Sequence, residues 1–224
     1  MVSPPSQVRA DFDRIAEMRG DRPSPVTYSR WILARAPARA AAALDIGCGS
    51  GDLCAALAPR AERIIGIDLS RRMIESAQRR CSSLPNVEFR TGDVIEMELP
   101  PTGFDLVVSA ATLHHVPLRA VLSRIERWLR PGGRLLVVDL RRPVGWIDPA
   151  LARAGSEWGW LWAHLRGGRR GRPASEWRLW REHVERDEYC SVPEVRAVCA
   201  DLLPGAVVRW RLLWRYTLEW DKPR

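Results

Sequence analysis

The chain has 224 residues, a net charge of +8 and 46% apolar residues, enough for one domain with a full hydrophobic core. It holds no run of about 18 apolar residues, and its first stretch, MVSPPSQVRADFDR, has no apolar signal-peptide core, so neither a membrane span nor a secretion signal is expected. Five scattered cysteines (Cys48, Cys54, Cys81, Cys190, Cys199) form no C-x-x-C pair, which points to a reducing, cytoplasmic setting and away from disulfides or a structural zinc.

Residues 8–19 read as a polar amphipathic helix, and residues 26–36 as a second one ended by Pro37. An apolar strand at 42–46 runs into glycines and reopens as a helix at 51–58. A strand at 63–67 and a helix at 71–80 follow, with Ser70 placed to cap the helix. Next come strands at 87–90 and 104–110 (FDLVVSA), then a helix at 117–129 that Pro131-Gly132-Gly133 should stop. RLLVVDL, 134–140, reads as a fully buried strand from its unbroken apolar run. After residue 141 the texture changes: 143–182 is rich in Trp and Arg, and RGGRRGR at 166–172 reads as a loop. A helix at 193–202 and strands near 206–211 and 213–220 close the chain. In the last strand Trp214, Tyr216, Leu218 and Trp220 should share one face, with Arg215, Thr217 and Glu219 on the other. Such alternation of helix and strand predicts a doubly wound α/β sheet.

The stretch AALDIGCGSGDL, 42–53, carries the functional signal. Loops after parallel strands gather on one sheet edge, where ligands bind, and Gly47 and Gly49 let the backbone turn tightly and approach a ligand. Asp68 ends the next strand about 20 residues beyond the glycines, where an acid accepts both ribose hydroxyls of a nucleoside. NAD and S-adenosylmethionine (SAM) both fit to this point. Three features favour SAM. Asp93 lies just past the third strand, where it can accept from an adenine amino group. Asp45 suits the ammonium of a methionine and would repel a pyrophosphate. The glycines run G-x-G-x-G rather than the dinucleotide G-x-G-x-x-G.

The ordered motifs LDIGCGSG, GIDLS, TGDV, FDLVVSAATLHHV and LRPGGRLLVVD resemble those of class I SAM-dependent methyltransferases, closest to the small-molecule branch that includes the quinone-biosynthesis enzymes. The resemblance covers about residues 40–140. It implies a Rossmann-like three-layer sandwich around a seven-stranded, mostly parallel sheet of order 3-2-1-4-5-7-6 with strand 7 antiparallel. It also implies SAM over Asp45, Gly47 and Gly49, ribose on Asp68, and adenine beside Leu69, Asp93 and Val94, with Ser109 and Ala110 along the methionine part. The chain then divides into N-terminal lid helices (1–37), a SAM-binding core (38–141), a variable Trp/Arg-rich substrate cap (142–190) and the final helix and two strands (191–224).

Methyl transfer needs nucleophile, methyl and sulfur held in line, and a base only where the acceptor keeps its proton at neutral pH. His114 and His115 follow the fourth strand, facing the methyl end. His164 and His183 fall in the cap, and Glu182 stands beside His183 to orient it. His183 or His115 is the candidate to polarise the acceptor, against a loop-fixing role for the LHH sequence. Trp158, Trp160, Trp162, Trp177 and Trp180 read as lid packing, as an aromatic wall for a flat acceptor, or as an interfacial surface for a lipid-borne one. The reading is a metal-independent methyltransferase, monomeric or homodimeric, acting on a small aromatic or polyketide-like metabolite at O, N or C. Its rivals are a SAM-binding cyclase or regulator, an RNA methyltransferase and a nicotinamide oxidoreductase. A nucleic-acid base substrate is disfavoured because SAATLHHV stands where amino-group methylators carry Asn/Asp-Pro-Pro-aromatic, and the Pro-Cys nucleophile of the cytosine-C5 type is absent there. The basic surface is read as general solvated charge.

Overall fold

The most apolar stretches of the chain lie at the centre of one seven-stranded sheet. The computed structural model describes residues 3–20, 22, 29–142, 144, 174–212 and 214–224, with side chains of the helix that begins at Ala174 described from Arg178 onward. In chain order the elements are α1 (Pro5–Arg19), α2 (Ser29–Leu33), β1 (Ala40–Ile46), α3 (Asp52–Leu57), β2 (Ala61–Asp68), α4 (Arg71–Arg80), β3 (Val87–Thr91), β4 (Phe104–Ala110), α5 (Leu118–Trp128), β5 (Leu129–Leu140), α6 (Ala174–Arg186), α7 (Val192–Leu202), β6 (Val207–Arg211) and β7 (Arg215–Asp221). Short 3-10 turns follow α3 and β4.

The strand order is β3-β2-β1-β4-β5-β7-β6. Strands β1 to β5 pair in parallel, whereas β7 runs antiparallel to both β5 and β6. Alternate residues of each central strand feed opposite core layers. Leu44, Ile46, Val107, Leu135 and Val137 pack with Val121, Leu122 and Ile125 of α5 and Val195 of α7. Ala43, Ile64, Leu106, Val108 and Leu136 pack with Ile32 of α2, Leu53 and Leu57 of α3 and Ile74 of α4. Burial on both faces explains why β4 reads as a continuous apolar run, and each such large side chain contributes about 1.5–3 kcal/mol. The chain departs from β1 toward β2 on one side and continues from β4 toward β5 on the other. The switch point, and the crevice that goes with it, therefore lies at the carboxyl ends of β1 and β4.

Helix α1 packs over this crevice edge. Its buried stripe, Val8, Asp11, Ile15 and Ala16, follows helical spacing, and Ile15 and Ala16 meet Met73 of α4 and Leu179 and Trp180 of α6. Ser70 caps α4 as expected, its Oγ accepting from Met73 N at 3.0 Å. The same hydroxyl donates to Asp13 Oδ1 at 2.6 Å and so fastens α1 to the start of α4.

Three local expectations change. α5 stops at Trp128, ahead of Pro131-Gly132-Gly133 as expected, but that stretch is not a free turn: β5 starts at Leu129, which pairs with Phe104, and the Pro-Gly-Gly stretch is absorbed as an irregularity before Arg134 meets Leu106. Sheet pairing here outweighs local turn preference. Trp214 precedes β7 in a left-handed conformation (φ 56) and is exposed, while Thr217 is buried with Leu218 and Trp220, because β7 is covered on both faces. Described helix α2 ends at Leu33, before Pro37.

Candidate active site

The chain rises along β1 to Asp45, then crosses the end of β2, where Gly47 N and Cys48 N both donate to Ile67 O (2.8 and 2.9 Å). Gly47 has φ +72, and a Cβ there would meet Thr112 Oγ1 at 2.0 Å. No larger residue fits this crossing of the glycine loop and the loop after β4. Gly49 has φ +51 and faces open space, which leaves its backbone approachable.

Two carboxylates bracket this loop. Asp68 Oδ2 accepts from Gly49 N and Oδ1 from Ser70 N, both at 2.9 Å, so each oxygen retains a lone pair. Burial pushes its carboxyl up to about 6 despite those two bonds. Asp45 is 1% exposed. Its Oδ2 accepts from Cys54 Sγ at 3.2 Å, and its Oδ1 is buried with no partner. Burial pushes Asp45 up to about 7, with the nearby Asp68 adding to the effect. An orphaned buried carboxylate oxygen is costly unless a donor arrives. An ammonium at Asp45 and a ribose diol at Asp68 would meet these two needs, so the residues present fit SAM.

The other expected contacts separate into two kinds. Leu69 is half-buried beside Asp68. Asp93 turns its Oδ1 to Ile95 N at 2.8 Å and so shapes its own loop, leaving Oδ2 for a ligand. Val94 is buried in the core, so only its backbone can face the crevice. Ser109 is fully buried and donates to Ile46 O at 2.9 Å: its side chain ties β4 to β1 rather than lining a cavity. Ala110 ends β4, and Ala111 beyond it takes φ 57, a conformation an alanine adopts at some cost. That strained residue leads into Thr112, which touches Gly47, and so into the histidine pair.

The histidines form the second half of the site. His114, His115 and His183 are brought together with Asp187, all four side chains no more than 6% exposed. His114 Nδ1 lies 2.6 Å from Asp139 Oδ1, and His114 N donates to Asp139 Oδ2 at 3.0 Å. Burial pushes His114 down, but Asp139, then Asp187, outweighs it and holds the imidazole above its ordinary value. His115 goes the other way: burial dominates over Asp187 and lowers it. His183 points Nδ1 at Asp11 (3.2 Å) and Nε2 at Asp187 (3.3 Å), so these two acids orient it, not the adjacent Glu182. Burial raises Asp11, but Arg186, His183 and Gln7 hold it below the usual carboxylate range. Phe12 closes the cluster, its ring edge-on to His115, His183 and Trp180 at 5.5, 4.9 and 6.2 Å between centroids.

Sequence reading missed Asp11, Phe12, Asp139, Asp187 and Tyr189. The only local signals were an acid inside the apolar RLLVVDL and an acid one helical turn after His183. His164, Trp158, Trp160, Trp162 and the 166–172 arginine loop lie outside the described residues, as does the side chain of Trp177.

A family model described as a methyltransferase domain matches residues 43–133. A Mycobacterium tuberculosis protein named only as an uncharacterized methyltransferase is 32% identical over 206 residues, covering 88% of this chain and 95% of the relative. The 2-phytyl-1,4-naphtoquinone methyltransferase of Synechococcus elongatus is 27% identical over 181 residues, 67% of this chain and 76% of its own. Among solved structures, Haemonchus contortus phosphoethanolamine N-methyltransferase 2, in complex with phosphomonomethylethanolamine and S-adenosylhomocysteine, superposes with a TM-score of 0.69 at 18% identity, covering 96% of this chain and 60% of that one.

Proposed function

The chain belongs to the class I SAM-dependent methyltransferases, and we propose that it methylates O, N or C of a small, aromatic or polyketide-like acceptor held at the histidine cluster. The observation that carries this is the pairing of two half-sites across one crossing of loops. Asp45 and Asp68 bracket the glycine loop, and Thr112, which touches Gly47, leads directly into His114 and His115. When bound, SAM supplies an electrophilic methyl on a sulfonium. Asp45 would hold the ammonium through its unpartnered oxygen, and Asp68 would accept from the ribose hydroxyls. Leu69, Asp93 and the Val94 backbone would hold the base, and Ala110 would border the methionine part.

Placement supplies most of the rate, up to about 7–11 kcal/mol of barrier reduction for a well-oriented pair. His115 polarises the acceptor. Burial lowers its basicity and so favours the uncharged ring, the form that can take a proton from an enol or phenol. His183, with both nitrogens facing acids, has no free nitrogen for that task and instead fastens α6 to α1. Phe12 and Trp180 keep water from the cluster and offer aromatic faces to a flat acceptor. On this reading residues 1–37 and 142–190 act as lid and cap over the 38–141 core, with 191–224 completing the sheet, and the enzyme works in the cytoplasm. No helix among the described residues is long and apolar enough to cross a membrane.

The test is product analysis. Purified protein, SAM and a panel of phenols and β-dicarbonyl compounds should yield S-adenosylhomocysteine in step with a product heavier by one methyl. A converted acceptor without S-adenosylhomocysteine would replace transfer with a cyclase-like reaction.

A further inference from the structure

Three imidazoles converge on one carboxylate at the end of α6. His115 Nδ1 lies 3.5 Å from Asp187 Oδ1, while His114 Nε2 and His183 Nε2 lie 3.8 and 3.3 Å from Oδ2. A nitrogen–oxygen hydrogen bond closes at about 2.7–3.2 Å, so the His114 and His115 approaches are too long to be hydrogen bonds. Ligands sharing a tetrahedral ion at about 2.0–2.2 Å stand ~3.3–3.6 Å from one another, a spacing the three side chains reach by small rotations from the present arrangement. One ligand atom from each of His114, His115 and Asp187 lies within 4.8 Å of the other two. We infer that His114, His115 and Asp187 form a binding site for a divalent transition-metal ion, with Zn2+ the ion their chemistry suits best.

The surroundings have the features such a site requires. Asp139 holds His114 Nδ1 at 2.6 Å, which fixes the tautomer and turns the Nε2 lone pair toward Asp187. This carboxylate–histidine support is the usual outer shell of a metal-bound imidazole. Tyr189 donates to Asp187 Oδ2 at 3.2 Å, and His183, anchored by Asp11, faces the same oxygen. The titratable side chains facing Asp187 are His114, His115, His183 and Tyr189, and Asp139 is buried beside them. A dication satisfies both carboxylates without protonating the imidazoles, for whose lone pairs protons and metal compete. Two imidazoles and one carboxylate select a first-row metal over Mg2+ or Ca2+, which take oxygen ligands, and they leave a coordination position open. With the ion bound His115 is a ligand and not the base, and an acceptor oxygen in the open position would be polarised by the ion instead. This role, unlike the binding itself, rests on the methyl-transfer reading. The metal-free expectation arose because the ligands have no recognisable spacing: two are adjacent, and the third comes from the far end of the 142–190 segment.

The full-length protein, stripped with EDTA, is titrated with Co2+ as a visible probe and then with Zn2+ alone. One equivalent of Co2+ per chain should bind with a ligand-field band in the visible, be displaced by Zn2+, and weaken at least 100-fold in Asp187→Asn and His115→Ala. S-adenosylhomocysteine affinity, read on the same samples, should stay within about twofold of native and so report folding. Should the variants fail to fold, the native stoichiometry and spectrum decide. No band and no thermal shift with Zn2+, or one-equivalent binding that survives both substitutions, would overturn the site. Turnover lost to chelation and restored by Zn2+ ties the ion to the acceptor, whereas a bound ion with chelator-insensitive turnover overturns that role alone. A protein that binds both Co2+ and S-adenosylhomocysteine yet never methylates anything counts against methyl transfer, not against the metal.

Discussion

Asp68→Asn is the sharpest probe of the cofactor half of the site. Each oxygen of Asp68 already accepts one backbone N–H, from Gly49 and from Ser70, and has one lone pair left for a ribose hydroxyl. Hydrogen bonds to a charged partner contribute about 1.5–3 kcal/mol each, so two give about 3–6 kcal/mol. At 1.4 kcal/mol per decade, losing both weakens binding by about 10²–10⁴-fold. Asparagine keeps the shape but turns an NH2 toward one of the two backbone donors, so the loop loses an acceptor as well. A loss of about 1–3 kcal/mol in stability should accompany it. Calorimetry with S-adenosylhomocysteine at pH 8, where a carboxyl raised to about 6 is ionised, reads the affinity. A dissociation constant within threefold of native in both Asp68→Asn and Asp68→Ala, with native Tm, would refute the ribose assignment.

Affinity for S-adenosylhomocysteine should fall as pH drops from 7.5 to 5, by up to tenfold per unit below about 7 as Asp45 protonates, and more steeply below about 6 as Asp68 joins it. Calorimetry across that range checks it, and a flat profile contradicts it. The ligand-free protein follows the opposite sign. Both folded values exceed the unfolded carboxylate value, so the native state holds protons that the unfolded state has released, and these two groups cost stability as pH rises from about 4 to 7. The Tm increment from ligand should therefore grow over the same window. Gly47→Ala should lower Tm well beyond Gly49→Ala, because only the former drives a Cβ into Thr112, whereas Gly49→Ala carries just the ~1–2 kcal/mol of a left-handed alanine; equal shifts in differential scanning fluorimetry would argue against the loop crossing. His115→Ala should reduce kcat by about 10²–10⁴-fold with S-adenosylhomocysteine affinity unchanged, and full turnover in His115→Ala removes the polarising role.

The cofactor half was legible in the chain because its parts are local. LDIGCGSG places an acid, the turn glycines and the following helix within one strand–loop–helix unit, Asp68 ends the next strand, and Asp93 lies just past the third. Strand pairing along the apolar runs then fixes where those ends meet. The histidine half was not legible, because it joins residues that nothing local relates. Asp11 and His183 are separated by 172 positions, and Asp187 reaches His114 and His115 only after α6 has docked on α1. Ser109 shows the same limit at short range: its position beside the crevice could be read from the strand, but the bond that turns its hydroxyl to Ile46 O depends on β1 lying alongside. What the sequence determined by itself was therefore the run of helices and strands and the acids at the sheet edge, since hydrophobic period and turn chemistry act over a few residues, while the strand order followed only from the resemblance of the ordered motifs. What the tertiary structure alone decided was the buried meeting of three histidines and an aspartate, since that depends on which faces of distant helices pack together.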